Sequence, residues 1–464
     1  ANALMAAGVG QGDRVALLTK NCAECFELMY ACNKIGAIFT GLNWRLAPTE
    51  IQAIVHDAQP KVIIVSAAEE ALLTDTCRKL SCIKRIVVLG KDFDNWRNAA
   101  AESDPGHSGT PDEVALLLYT SGTTGLPKGV MHTHNTQMAA LITLNATNDF
   151  CIGDRYLNPM PLFHVGALTP AIVTAYRGLA HILMRAFDPN AIWTLVKEER
   201  INNALLVPAM LSACRMVFDP SLHDYSTLRW FLSGAAPVPK SLIEAYQTMG
   251  IDIHQVYGLT ETCGPACTTT PEDAIRKAGS TGKAFFHTDV KIVNPDGTTC
   301  GTEEAGELLV RGDHIMTGYW NRPDATAESI KDGWLYTGDI ALADDEGFIW
   351  IQDRLKDMII SGGENVYPAE VENVILGHPA VADVAVIGIP HEKWGETALA
   401  VVVRAPDTDA TEQDIISFSH ERLAKFKCPT QVAWIDVLPR NPSGKVLKKD
   451  LREPYWAGRE RRVN

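Results

Sequence analysis

Short aliphatic runs alternating with amphipathic helical stretches constrain the fold of this chain more than any other feature. RVALL at 14–18, KVIIV at 61–65 and RIVVL at 85–89 have almost no polar alternation, so each reads as a strand buried on both faces. Between them, AECFELMYACNKIGA at 23–37 and TEIQAIVHDA at 49–58 carry apolar residues at helical spacing. Buried strands joined by helices form largely parallel sheets covered by helices. The expectation is therefore an α/β fold, with a large N-terminal domain of layered α/β subdomains. Between about 285 and 352 the texture changes to short strands, VKIVNPDGTTC, GELLVRG and GFIWIQDR, set off by Asp-Gly and Glu-Gly turns. That stretch predicts a β-rich subdomain. Beyond it lies a compact α+β pattern: a helix in YPAEVENVILGHP ending at Gly377, strands in ADVAVIGIP and ALAVVVRA, and a helix in TEQDIISFSHERLA. The division is expected between 1–353 and 354–464.

Bulk properties narrow the function classes. A chain of 464 residues suggests roughly two to four domains and can bury large cores without covalent staples. Its formal net charge of −14 argues against general nucleic-acid binding, which needs a basic face. A locally positive pocket for an anionic ligand remains compatible with that charge. Eleven scattered cysteines, an odd number, fit a reducing, cytoplasmic setting better than a disulfide framework. Cys22 and Cys25 form a CxxC, but their helical surroundings favour packing over redox or metal chemistry. No apolar run approaches the roughly 18–20 residues that span a bilayer. The opening, ANALMAAGVGQGDRVALL, is not a signal peptide. It lacks an initiator Met and starts inside a helix, so a preceding segment is expected. The basic tail, LKKDLRE and GRERR, reads as a solvated face, with CoA phosphates or a membrane surface as the alternatives.

The most informative local stretch is YTSGTTGLPKGV at 119–130, which follows the apolar run EVALLLY. Gly122, Gly125 and Gly129 permit close backbone approach. Thr120, Ser121, Thr123 and Thr124 supply hydroxyl donors, and Lys128 a point charge. Together these match the needs of polyphosphate oxygens. The loop is not a Walker A motif, because Pro127 precedes Lys128 where that motif requires Gly.

At this loop the chain resembles the adenylate-forming enzymes, which include acyl-CoA synthetases, adenylation domains of peptide synthetases and luciferases. Further blocks in family order cover essentially the whole chain. SGAAP at 233–237 resembles the segment that lies along adenine, through Gly234, Ala235 and Ala236. YGLTET at 257–262 resembles the second nucleotide motif. The resemblance implies that Tyr257 and Gly258 flank adenine, Thr260 offers a hydroxyl to the α-phosphate, and Glu261 binds Mg²⁺ as a hard carboxylate ligand. In WLYTGDI, Asp339 is implied to hold the ribose hydroxyls. In DRLKD, Arg354 is implied to contact ribose and phosphate, and Lys356 to be the hinge of a mobile C-terminal domain. PRNPSGK at 439–445 carries Lys445, implied to bridge the attacking carboxylate and the α-phosphate. Ser361, Gly362 and Gly363 are implied to line the CoA passage, with WGE at 394–396 near the same face. In PLFHVG, His164 is implied to line the acyl channel and shift between half-reactions. Alone, several of these segments would be ordinary turns, surface charges or core residues. His132 and His134, in MHTHN, match a His-rich stretch at a helix start, and no metal is assigned to them.

The resemblance implies two half-reactions: acid and MgATP give acyl-AMP and pyrophosphate, and CoA then displaces AMP. The wording of DRLKDMIISGGENVYPAEVE and PHEKWGE is nearest bacterial fatty-acyl-CoA synthetases. The acyl pocket is expected at His164, Val165, Gly166, Met210, Cys263 and Gly264, where small or apolar residues favour an apolar acid, a medium- or long-chain fatty acid. The alternatives are an aryl (ferulate-like) or steroid side-chain acid, then an ADP-forming ligase or a non-catalytic binding relative. The expected partners are the acid, ATP and CoA, without nucleic acid or a transmembrane segment. Homodimer formation and contact with the inner membrane face are left open.

Overall fold

The structure, a computed structural model, describes residues 1–107, 109–120, 127–235, 238–354, 357–361, 364–392, 394–423, 425–440 and 446–457, with backbone alone at 353, 354, 364 and 365. The chain divides into two compact units, 1–290 with 310–335, and 291–309 with 336–464.

The first unit holds two seven-stranded sheets. In one, Val114–Thr120, Ile38–Leu42, Arg14–Leu18, Val62–Val65 and Arg85–Val88 run parallel in that spatial order. Lys128–Thr133 and then Gly318–Tyr319 add antiparallel strands beside Val114–Thr120. In the other, Ala180–Leu183, Arg155–Asn158, Asn203–Leu205, Trp230–Ser233 and Asp252–Tyr257 run parallel. Cys267–Thr268 and Lys283–Ala284 close it antiparallel. Two of the three runs read as doubly buried strands are buried, with Val15, Leu18, Val62, Ile63, Ile64 and Val65 losing nearly all solvent contact, whereas RIVVL forms the edge strand and buries only Val87 fully. Helices cover these strands, Glu24–Asn33 burying Cys25, Leu28, Met29 and Cys32 along one face. One core joins Leu17 and Phe39 of the first sheet to Tyr156 and Leu232 of the second through helices Glu24–Asn33, His134–Thr147 and Val165–Arg177. Cys25 and Cys32 sit inside that core, and burial pushes both thiols up. Cys22 is likewise raised, to about 12, first by burial and then by Glu24.

In the second unit, Trp334–Ala343 and Ile349–Arg354 pair antiparallel, Asp339 opposite Arg354. A five-stranded sheet follows, in the order Glu364–Val366, Ile359–Ser361, Gly395–Arg404, Val381–His391, with Gln431–Trp434 parallel to Gly395–Arg404. Helices Pro368–Leu376 and Glu412–His420 bury Val371, Ile375 and Ile415 against one face. Leu451 of helix Lys448–Trp456 packs toward Ile387 and Leu399 on the other.

By packing, the second compact unit begins at 336 and includes 291–309; the expected division between 1–353 and 354–464 stays a separate expectation about a mobile domain. The cause is packing: helix Pro368–Leu376 lies against strand Ile349–Arg354, which is itself paired to Trp334–Ala343. The tail segment LKKDLRE is not simply a solvated face. Lys448 pairs with Glu372 at 2.8 Å and Arg452 with Asp357 at 3.1 Å, and both cations have side chains only 14% exposed.

Candidate nucleotide and acyl site

Strands Val114–Thr120 and Lys128–Thr133 form an antiparallel hairpin whose last pair is Thr120 with Lys128. The hairpin fixes both ends of the loop expected to cradle phosphate. Ser121, Gly122, Thr123, Thr124 and Gly125 of that loop lie outside the described residues. Gly129 leaves no room for a side chain, since a Cβ there would meet Leu117 at 2.8 Å and Tyr119 at 3.0 Å.

Strands Trp230–Ser233 and Asp252–Tyr257 are parallel neighbours, so the two segments expected around adenine leave the same carboxyl edge of a sheet. Ligands of open α/β sheets collect at such edges. The segments approach closely: a Cβ on Gly234 would meet the Val256 carbonyl at 2.4 Å. Gly258 is tighter still, with a Cβ only 1.4 Å from the Gly264 carbonyl oxygen. Ala235 follows with a left-handed φ of 70°, and Ala236 is outside the described residues.

The turn after Tyr257 carries Thr260 and Glu261, and three successive carbonyls hold it in place. His132 Nε2 lies 2.7 Å from the Thr260 oxygen, the Met316 N–H donates to Glu261 at 2.8 Å, and His314 Nδ1 lies 2.9 Å from the Thr262 oxygen. His314 Nε2 meets the Thr288 hydroxyl at 2.8 Å. The Glu261 side chain accepts from the Tyr319 hydroxyl at 2.8 Å, and the Lys128 ammonium lies 4.9 Å from the centre of the same tyrosine ring. The structure thus brings together Lys128 of one motif and Glu261 of another. Glu261 is partly buried and has no ion pair among the described residues. A carboxylate held by a neutral donor and not neutralised by a cation suits a divalent metal.

The residues expected to line the acyl pocket adjoin this turn. His164 caps helix Val165–Arg177, its ring 4.4 Å from that of Phe163. Among the described residues its buried Nε2 has no hydrogen-bond partner, and burial pushes its pKa down to about 4. A Cβ on Gly166 would meet nothing within 4 Å, so the helix start faces open space. Thr169, one turn on, donates to the Cys263 carbonyl at 2.7 Å and ties the helix to the turn that carries Thr260 and Glu261. A Cβ on Gly264 would touch Thr169 at 3.5 Å. Burial raises the Cys263 thiol to about 12, so no thiolate forms there near neutral pH. Val165 borders the same core, and Met210 in helix Pro208–Met216 packs on the cores of both sheets.

In the second unit, Asp339 is buried and its N–H donates to the Thr337 hydroxyl at 3.1 Å. Arg354 faces it across the ladder. Ser361 is buried opposite Gly395. Lys356, Gly362, Gly363 and Lys445 lie outside the described residues. On either side of 441–445, Arg440 and Val446 form a bridge and the Leu447 N–H donates to the Pro439 carbonyl at 2.8 Å.

The sequence reading missed four residues: Tyr319, His314, Thr169 and the structural use of His132. His132 belongs to strand Lys128–Thr133 rather than to a helix start, whereas His134 begins helix His134–Thr147. Burial holds His132, His164 and His181 at about 4 and pushes His314 down as well. An unfolded histidine takes up its proton near pH 6.5, so below that value protons favour the unfolded chain. Stability conferred at neutral pH is expected to fall from pH 6.5 toward 4, by about 1.4 kcal/mol per pH unit for each such histidine. Urea unfolding at pH 7.5, 6.0 and 5.0 measures the slope. His132→Gln should reduce it by one proton's worth, and a slope unaltered by that change contradicts the assignment.

The sequence model of the AMP-binding enzymes matches residues 1–320, and that of the AMP-binding enzyme C-terminal domain matches 370–445. The long-chain-fatty-acid–CoA ligase FadD13 of Mycobacterium tuberculosis is 44% identical over 461 residues, 98% of this chain and 91% of that one. Feruloyl-CoA synthase of an Amycolatopsis species is 40% identical over 456 residues, 98% and 91% of the two chains. The crystal structure of ATP-bound MatB from Rhodopseudomonas palustris superposes with a TM-score of 0.90 at 31% identity, covering 98% of this chain and 91% of MatB.

Proposed function

This chain belongs to the AMP-binding enzyme family, and from that premise we propose that it is an AMP-forming acid–CoA ligase acting on an apolar carboxylic acid. The observation that carries the reading is the convergence of Lys128 and Glu261 on Tyr319, beside a turn tied to the helix that faces the open space at Gly166. ATP would lie along Gly234, Ala235, Ala236 and Tyr257, its phosphates over the 120–128 loop and its ribose against Asp339 and Arg354. Mg²⁺ at Glu261 would offset phosphate charge. The carboxylate oxygen attacks the α-phosphorus, the bond to pyrophosphate breaks, and Lys445 bridges the two anions as they meet. After rotation about Lys356, the CoA thiolate attacks the acyl carbon past Ser361, Gly362 and Gly363, and AMP leaves with the electron pair. Most of the rate comes from positioning and charge, so no protein nucleophile is required.

The acid is proposed to be a medium- or long-chain fatty acid, supported by the space at Gly166 and by likeness to FadD13. The likeness to feruloyl-CoA synthase supports an aromatic acid as the second reading. Pyrophosphate release with octanoate, palmitate, ferulate and benzoate separates them. Fatty acids should turn over at least about tenfold faster by kcat/KM, a difference of about 1.4 kcal/mol in transition-state binding. Fastest turnover of ferulate or benzoate would replace the fatty-acid assignment, and ADP in place of AMP would overturn the ligase class. The proposed setting is cytoplasmic; among the described residues no helix is long and apolar enough to cross a membrane.

A further inference from the structure

We propose that Tyr319 is a positioning residue that couples the phosphate-loop lysine to the metal-binding carboxylate, holding both charges ready without letting them cancel. The proposal rests on the adenylation reading and deepens it. Tyr319 is rigidly placed. Its strand, Gly318–Tyr319, pairs with Met131 and Val130, and the flanking N–H groups of Thr317 and Trp320 donate to Met131 at 3.1 Å and Gly129 at 2.7 Å. Its own N–H donates to the Thr326 hydroxyl at 2.9 Å. Its ring packs among Val130, Met316 and Leu335.

From this fixed ring two different contacts emerge. The hydroxyl donates to Glu261 Oε1, and the ring takes the Lys128 ammonium at cation–π distance. Lys128 and Glu261 form no ion pair with each other among the described residues. A direct pair would spend the positive charge that nucleotide phosphates need and the negative charge that a metal needs. A phenol satisfies one carboxylate oxygen while leaving the group ionised, so the second oxygen stays available to a hard cation. The aromatic face stabilises the ammonium without neutralising it.

The hydroxyl and the ring therefore have separable consequences. Calorimetric titration of the full chain with ATP, once with Mg²⁺ and once with EDTA, reads them as binding rather than turnover. Tyr319→Phe keeps the ring and removes the donor. Its dissociation constant for MgATP should rise about tenfold, as befits a lost hydrogen bond to a charged group, while that for metal-free ATP stays within about twofold. Tyr319→Leu removes both contacts and frees Lys128 to pair with Glu261, so both constants should rise. If Tyr319→Phe binds MgATP as wild type does, or if it weakens both forms equally, the coupling role is wrong. Failure of the wild-type chain to bind ATP at all would instead sink the nucleotide reading, which keeps the two failures distinct.

Discussion

Lys445→Ala is expected to abolish acyl-AMP formation while leaving most of the thioester-forming step intact. The first step brings an acid carboxylate onto a phosphate that already carries negative charge, and in water the two anions repel. An ammonium between them acts only where they crowd together, so its benefit appears in the transition state rather than in ground-state binding. Removal of one such stabilising group commonly costs about 10²–10³ in rate. The second step starts from a mixed anhydride that is already activated, and the reacting sulfur and carbon need no charge bridge. Lys445 lies outside the described residues, and its neighbours Arg440 and Val446 form a bridge that does not depend on its side chain. Pyrophosphate release from acid and ATP measures the first step, and CoA consumption from supplied acyl-AMP measures the second. Equal loss in both assays would refute the role.

The parts of the fold governed by local period were legible in the sequence. RVALL and KVIIV predicted doubly buried strands and sit inside a parallel sheet, while RIVVL, read the same way, forms its edge, a distinction that apolar content alone does not make. Motif residues on one loop could be proposed from the sequence for a similar reason, because Gly, Ser and Thr restrict or extend local backbone chemistry. What escaped depends on pairs far apart in the chain. Tyr319 reaches Glu261 across 58 positions, His314 reaches Thr262 across 52, and Thr169 reaches Cys263 across 94. Nothing in IMTGYW marks its tyrosine as a ligand of another motif. Likewise LKKDLRE reads as solvated until the acids that bury Lys448 and Arg452 are known. That helix Pro368–Leu376 packs against strand Ile349–Arg354 is likewise a tertiary matter that a change of sequence texture does not reveal.

Gly258→Ala is expected to be nearly as damaging as loss of Lys445, though it removes no functional group. A methyl group there would sit 1.4 Å from the Gly264 carbonyl oxygen and 2.6 Å from its carbon. Both atoms are backbone, so no side chain can swing aside. The turn would have to open by roughly 1.5 Å to restore the 3.0 Å spacing that real Cβ atoms keep. That movement is resisted at several points: Gly264 N–H donates to Leu259 at 3.1 Å, Ala266 N–H to Tyr257 at 3.0 Å, and the Thr169 hydroxyl to Cys263. His132 and His314 hold the carbonyls on either side of Glu261. Overpacking of this kind costs about 1–3 kcal/mol in stability. The larger consequence is positional, because a displacement of about 1 Å near reacting groups can lower rate about 10²-fold. Opening the turn would carry Glu261 away from Tyr319 and shift Tyr257, which is proposed to flank adenine, so KM for ATP should rise as kcat falls. Steady-state pyrophosphate release across ATP concentrations, with urea unfolding of the same variant, separates the two effects. A variant whose KM and kcat both stay within about threefold of wild type would mean that the turn yields easily, and that its clamps do not set the position of Glu261.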